Sequence, residues 1–211
     1  MNNGFFITFE GGEGSGKTTQ IALLSDYLVS KSYKVYVTRE PGGSIGAESI
    51  RNLLVTGNPD KWDSETEALL MYAARRDNYM RVIKPNLNEG RIVISDRFSD
   101  STKVYQGIVG GVPQEKINLL HNFCLDNFQP DLTFILDIDV KKGLSRANSR
   151  KGKENRFESK GADFHNLVRD AYLDLASKNK KRMNIIDASK SITDINDDIK
   201  NIFDKYIKEN I

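Results

Sequence analysis

Gly11-Gly12-Glu13-Gly14-Ser15-Gly16-Lys17-Thr18 has the spacing G-x-x-x-x-G-K-[ST], and it stands between an apolar run, Phe5 to Phe9, and a segment of helical periodicity beginning at Lys17. A strand, a glycine-rich turn and a helix in that order form a cradle for a triphosphate. The glycines let backbone N–H groups converge where side chains would collide, and the helix adds the positive end of its dipole. Gly11, Gly12, Glu13, Gly14, Ser15, Gly16, Lys17, Thr18 and the adjoining Thr19 are therefore the expected nucleotide-binding residues. Lys17 should reach the β- and γ-phosphates, and the Thr18 hydroxyl should hold a magnesium ion carried with ATP.

Four more short, β-branched-rich segments read as strands: Lys34 to Thr38, Arg91 to Asp96, Asp131 to Asp137 and Asn184 to Ala188. Helical stretches separate them, at Lys17 to Lys31, Ser44 to Thr56, Ser64 to Asn88, Pro113 to Asn127, Asp163 to Lys181 and Ile192 to Ile207. This alternation predicts an α/β fold on a parallel five-stranded sheet, with ligands gathered at the carboxyl ends of the strands. Ser64 and Glu67 form a candidate capping box for the third helix. The charged segment Arg146 to Glu158 interrupts the pattern after the fourth strand and reads as a flap over the site, although a solvated loop carries such charge as well.

At 211 residues, one domain with a lid or insertion is expected. The formal charge of +2 gives no field that would attract nucleic acid or an anionic membrane. Cys124 is the single cysteine, so no internal disulfide and no cysteine-based zinc cluster can form. His121 and His165 fall in no motif and are expected in structural positions. With no apolar run of spanning length and no signal-like segment after Met1, a cytoplasmic location is expected.

Phosphate loops serve switches, motors and small-molecule kinases, so the second substrate must be read elsewhere. A GTPase switch should carry D-x-x-G and N-K-x-D, and neither is present. Polar residues instead gather near strand ends. Arg39 and Glu40 precede the turn Pro41-Gly42-Gly43, Arg51 follows on the next helix, and Asp96, ending the third strand, has the position of a magnesium-site carboxylate. Tyr72 and Arg76, four residues apart on one helix, share a face on which a ring and a guanidinium could receive a base.

Phe9-Glu10-Gly11, Arg39-Glu40-Pro41-Gly42-Gly43, Tyr72-Ala73-Ala74-Arg75-Arg76, and Asp96-Arg97-Phe98 through Tyr105-Gln106-Gly107, taken together and in order, resemble bacterial thymidylate kinases. That resemblance implies a P-loop nucleoside monophosphate kinase fold with a short basic lid, spanning 1–211 as one domain with the lid at about 142–160. It implies transfer of the ATP γ-phosphoryl group to dTMP, giving dTDP on the route to dTTP, by a homodimer. Matching positions imply that Arg51 and Arg97 hold the dTMP phosphate, and that Glu10, Arg39 and Glu40 line the phosphate and sugar side. Tyr72 would stack on thymine, Arg76 would bond a carbonyl, and Gln106, with Ser101 or Thr102, would read the polar edge. Tyr72 and Phe98 depart from the usual phenylalanine and tyrosine, and Arg75 has no assigned part. With Glu13 and no arginine in the phosphate loop, lid arginines, chiefly Arg150 and Arg156, would join Lys17, Arg39 and Arg97 in compensating transferred charge. A nucleoside kinase would have no use for an acceptor-phosphate site of three arginines, and a nucleotide-dependent binding module would leave the second set of residues unexplained.

Overall fold

The computed structural model describes residues 4–148, 156–157 and 160–210. Five parallel strands, β1 (Phe5–Glu10), β2 (Val35–Arg39), β3 (Ile92–Asp96), β4 (Leu132–Asp137) and β5 (Met183–Asp187), form one sheet in the order β2-β3-β1-β4-β5. Phe5, Ile7 and Phe9 point to one face and Phe6 to the other, so β1 is buried on both sides, as a central parallel strand must be. On the first face, helices α1 (Lys17–Ser30) and α9 (Ile192–Asn210) bring Leu24, Leu28, Ile199 and Phe203 against Phe9 and Phe134. Inside the sheet the hydroxyls of Thr8 and Thr133 satisfy each other at 2.8 Å.

The opposite face carries α2 (Ile45–Val55), α3 (Ser64–Asn78), a π-helical turn Tyr79–Ile83, and α4 (Lys84–Asn88). The continuous helix expected from Ser64 to Asn88 is thus broken by one wide turn. Asp63, rather than Ser64, caps α3 by accepting from the Thr66 amide at 2.9 Å, and Glu67 is buried on other business. After β3 come α5 (Ser99–Thr102) and a second π-helical segment, Lys103–Val109, neither foreshadowed by a periodic signal. Next are α6 (Gln114–Leu125), then, beyond β4, α7 (Val140–Asn148), also unforeseen, and α8 (Ala162–Lys178).

Strand order places β1 between β3 and β4, where successive connections leave in opposite directions and open a crevice at the carboxyl edge. The glycine-rich loop lies there. Gly16, at φ +92°, starts α1, and Gly14, at φ +66°, lies so close to α7 that an added Cβ would meet the Gly143 carbonyl oxygen at 1.9 Å. That approach docks the loop on α7.

Candidate active site

A cavity of about 600 Å³ runs from Gly14–Thr18 along the ends of β2 and β3 to α3 and the second π-helical segment. At its phosphate end Lys17 is folded over the loop, donating to the carbonyls of Gly11 at 3.1 Å and Gly12 at 3.0 Å. Burial, reinforced by the nearby Arg97 charge, pulls its ammonium below the usual lysine range. A phosphate is the partner such a desolvated ammonium would gain. The Thr18 hydroxyl lies 3.4 Å from Asp96 Oδ2, joining the start of α1 to the end of β3. An alcohol and a carboxylate at the mouth of a phosphate loop are oxygen donors of the kind magnesium takes. Thr19 follows in the first turn of α1, partly buried and outside the cavity lining.

Arg97 is the hub of the middle section. Its backbone has φ +69°, a strained setting for a non-glycine residue, and its guanidinium donates to Glu13 at 2.8 Å and to Ser101 and Tyr172 at 3.1 Å each. Burial works to raise the Glu13 carboxyl, but the charges of Arg97 and Lys17 prevail and hold it below the usual range. Glu10 lies one layer deeper, fully buried, accepting from the Phe98 amide at 2.8 Å, Ser101 at 2.6 Å and Tyr172 at 2.9 Å. Burial, with Asp100 adding to it, pushes its carboxyl up. Glu10 therefore braces Ser101 from behind and does not line the cavity.

On the β2 side, Arg39 is half exposed and bidentate to Glu48, at 3.2 and 2.9 Å, and Glu48 also accepts from the Gly43 amide at 2.9 Å. Arg51 donates to the Pro41 carbonyl at 2.6 Å. Both arginines line the cavity. Glu40 lies deeper, paired with Arg75 at 2.6 Å, and both side chains are 2% exposed. Burial, working against the Arg75 charge, leaves the Glu40 carboxyl above its usual range.

At the far end the sequence-based assignment and the structure part. Tyr72 is buried among Ala68, Val112 and Ile117, edge-on to His121, and does not reach the cavity. Arg76 is exposed and donates to the Cys124 carbonyl at 2.6 Å. They do share a face, as the spacing required, but it is the face turned to α6. Their preceding neighbours Met71 and Arg75 line the cavity instead. Arg75 is held by Glu40, the Phe98 carbonyl at 3.0 Å and Thr102 Oγ1 at 3.1 Å, lies over the rings of Tyr72 and Phe98, and has Nη1 without a protein partner among the described residues. Gln106 is buried, lines the cavity and donates to Glu67 Oε2 at 2.8 Å.

Arg156 is 0% exposed and distant in role from the phosphate loop: it donates to the carbonyls of Asn58 at 3.0 Å, Leu54 at 3.1 Å and Pro59 at 2.8 Å, and to Glu67. Four acceptors enclose it between α2 and α3. Arg150 and most of the segment 142–160 beyond α7 lie outside the described residues. Glu67, Met71, Arg75 and Asn78 form one inward face that the sequence reading missed, although their spacing i, i+4, i+8, i+11 is the signal that carries it.

A parallel sheet with a glycine-rich loop at its switch point, and one cavity joining that loop to a buried polar pocket, define a P-loop nucleoside monophosphate kinase. The family model for thymidylate kinase matches residues 9–199. A thymidylate kinase of Caulobacter vibrioides is 53% identical over 188 residues, covering 89% of this chain and 90% of the relative. One of Ruegeria pomeroyi is 46% identical, covering 94% of each. The crystal structure of thymidylate kinase from Ehrlichia chaffeensis superposes with a TM-score of 0.76 at 37% identity, covering 95% of this chain and 99% of that one. The chain belongs to the thymidylate kinase family, ATP-dependent phosphotransferases that convert dTMP to dTDP in dTTP synthesis.

Proposed function

We propose that this chain, acting as one domain with its lid at about 142–160, transfers the γ-phosphoryl group of ATP to dTMP with the thymine ring seated among Met71, Arg75 and Gln106. The observation that carries this reading is the continuous cavity from Lys17 and Thr18 to Arg75 and Gln106. The unpartnered Nη1 of Arg75 suits a pyrimidine carbonyl. Arg39, Arg51 and Arg97 meet the acceptor phosphate between the two ends, and Glu13, held by Arg97, faces the sugar side. Thr18 and Asp96 would be the oxygen donors for magnesium, which when bound would offset charge on the donor phosphates.

Phosphoryl transfer asks the protein for in-line placement and charge compensation, and no general base is needed because the acceptor is already a phosphate oxygen. Lys17 leaves the loop carbonyls for the donor phosphates. Arg150 keeps its proposed part at the transferred group, whereas Arg156 is enclosed between α2 and α3. Exposed Leu69 on α3 and Leu119 and Phe123 on α6 give an apolar surface suited to a homodimer in the cytoplasm. Among the described residues no helix is long and apolar enough to cross a membrane.

ADP release measured with a panel of nucleoside monophosphates and free nucleosides tests the reading. It predicts turnover with dTMP far above the rest. Equal turnover across the pyrimidine monophosphates, or turnover with free thymidine, would overturn it.

A further inference from the structure

Arg156 and Glu67 form a deeply enclosed ion pair beside the cavity, with side chains 0% and 5% exposed, and neither side chain lines it. Arg156 closes off the end of α2. Its guanidinium takes the Leu54 carbonyl, one of the acceptors a helix leaves without an internal partner, and its own amide donates to the Val55 carbonyl at 3.3 Å. The same guanidinium fixes one oxygen of Glu67, on the first turn of α3, and the other oxygen of Glu67 receives the side-chain amide of Gln106. Three segments far apart in sequence are thus joined by a single polar chain that ends at the cavity wall.

The chemistry of that chain is directional. A carboxylate fixed by a guanidinium can only accept, so the group of Gln106 that meets it must be the NH2, and the amide oxygen is left for the cavity. We propose that Arg156 and Glu67 act as positioning residues that lock the Gln106 amide with its oxygen toward the acceptor base, and thereby select thymine over cytosine. Thymine presents N3–H, a donor that this oxygen accepts; cytosine presents at N3 an acceptor, which would face the oxygen lone pair to lone pair. The inference rests on Gln106 facing the base, as proposed above. It also gives the lid flank a part in reading the acceptor, because Arg156 belongs to the segment that follows α7.

Glu67→Gln is the sharpest probe. It nearly preserves volume, but the donor-only guanidinium of Arg156 takes the amide oxygen of residue 67 and leaves its NH2 facing Gln106, whose amide must then turn its oxygen away from the cavity. Steady-state kinetics with dTMP and dCMP at saturating ATP should show the ratio of their kcat/KM values falling about tenfold or more, mainly through KM for dTMP, with KM for ATP within about twofold. Arg156→Met should lower the same ratio, and the double variant should be no worse than the more impaired single one, since both act through one amide. A merely structural pair would depress dTMP, dCMP and ATP parameters alike and leave the ratio unchanged, which would overturn the relay. Gln106→Met separates this from the base placement. If Gln106→Met leaves the ratio unchanged, the placement of Gln106 at the base fails; if it lowers the ratio and folded Glu67→Gln does not, the relay alone fails. Should both relay variants misfold, the unmutated enzyme decides. The Gln106 side-chain amide signal, identified by its loss in Gln106→Met, should keep its carboxylate-bonded shift when dTMP is added, and a change to a free-amide shift would overturn the proposal.

Discussion

The two ends of the cavity are built by opposite means. At the phosphate end the working groups are largely backbone, supplied by eight consecutive residues whose glycines permit the fold of the loop, so the site is written in one stretch of sequence. At the base end the groups are side chains from α3 and the second π-helical segment, with Glu40 at the end of β2 as a buried brace. A loop site tolerates no doubt about which residues belong to it. A helix site turns on register, because successive residues point about 100° apart, and one step separates the cavity from the α6 interface.

The comparison breaks first at its phosphate end if Lys17 is dispensable. Lys17→Ala should lower kcat by roughly 100-fold or more, while thermal unfolding stays near that of the unmutated chain, because the partners of Lys17 among the described residues are loop carbonyls and the Ser15 hydroxyl and it braces no core element. Near-normal turnover in the folded variant would remove the loop from the chemistry.

At the base end the contrast between neighbours is the sharper test. Arg75→Ala should destabilise the fold by roughly 3–5 kcal/mol, because it leaves Glu40 buried without its cation, and should weaken dTMP binding along with it. Arg76→Ala removes an exposed guanidinium on the other face, so stability should change by less than about 1 kcal/mol and dTMP affinity should hold. Denaturant unfolding and calorimetry with dTMP and ATP check both. Equal effects at the two positions would mean that the register of α3 is not what separates them.

The smallest effect expected is at Tyr72, whose buried hydroxyl has no partner among the described residues. Tyr72→Phe should leave dTMP binding unchanged and stabilise the fold by about 1 kcal/mol, since a buried hydroxyl without a hydrogen bond is a cost. Loss of dTMP affinity in that variant would return Tyr72 to the pocket.

Much of the architecture was legible because the signals were local. All five strands follow from short β-branched runs, within a residue or two at each end, and the phosphate loop follows from its glycines. What escaped depended on tertiary context. The short helix Ser99–Thr102 and the π-helical Lys103–Val109 lack a clear amphipathic repeat and are held by contacts such as Ser101 with Glu10 and Tyr105 against Tyr172. Val140–Asn148 does carry one, with Val140, Leu144 and Ala147 at helical spacing, but it is short and runs into the charged segment that reads as a flap. Asp63 and Ser64 are both good caps, and nothing local decides between them. Arg75 and Arg76 are identical residues in adjacent positions, and the choice is made by Glu40, thirty-five residues away, which needs a cation in the interior. Arg156 reads as a lid cation because its neighbours in sequence are basic, whereas the carbonyls of Leu54, Asn58 and Pro59 and the carboxylate of Glu67 claim it.

On the reading proposed above, the thymine ring lies against Met71 and not against Tyr72. With 13C-methyl-labelled methionine, the four methyl signals can be followed during titration, and the Met71 signal identified by its loss in Met71→Leu. Adding dTMP should shift the Met71 methyl through the ring current of the bound base and give a nuclear Overhauser contact to the thymine, while an ATP analogue alone should do neither. A Met71 methyl that is unmoved at saturating dTMP would contradict it.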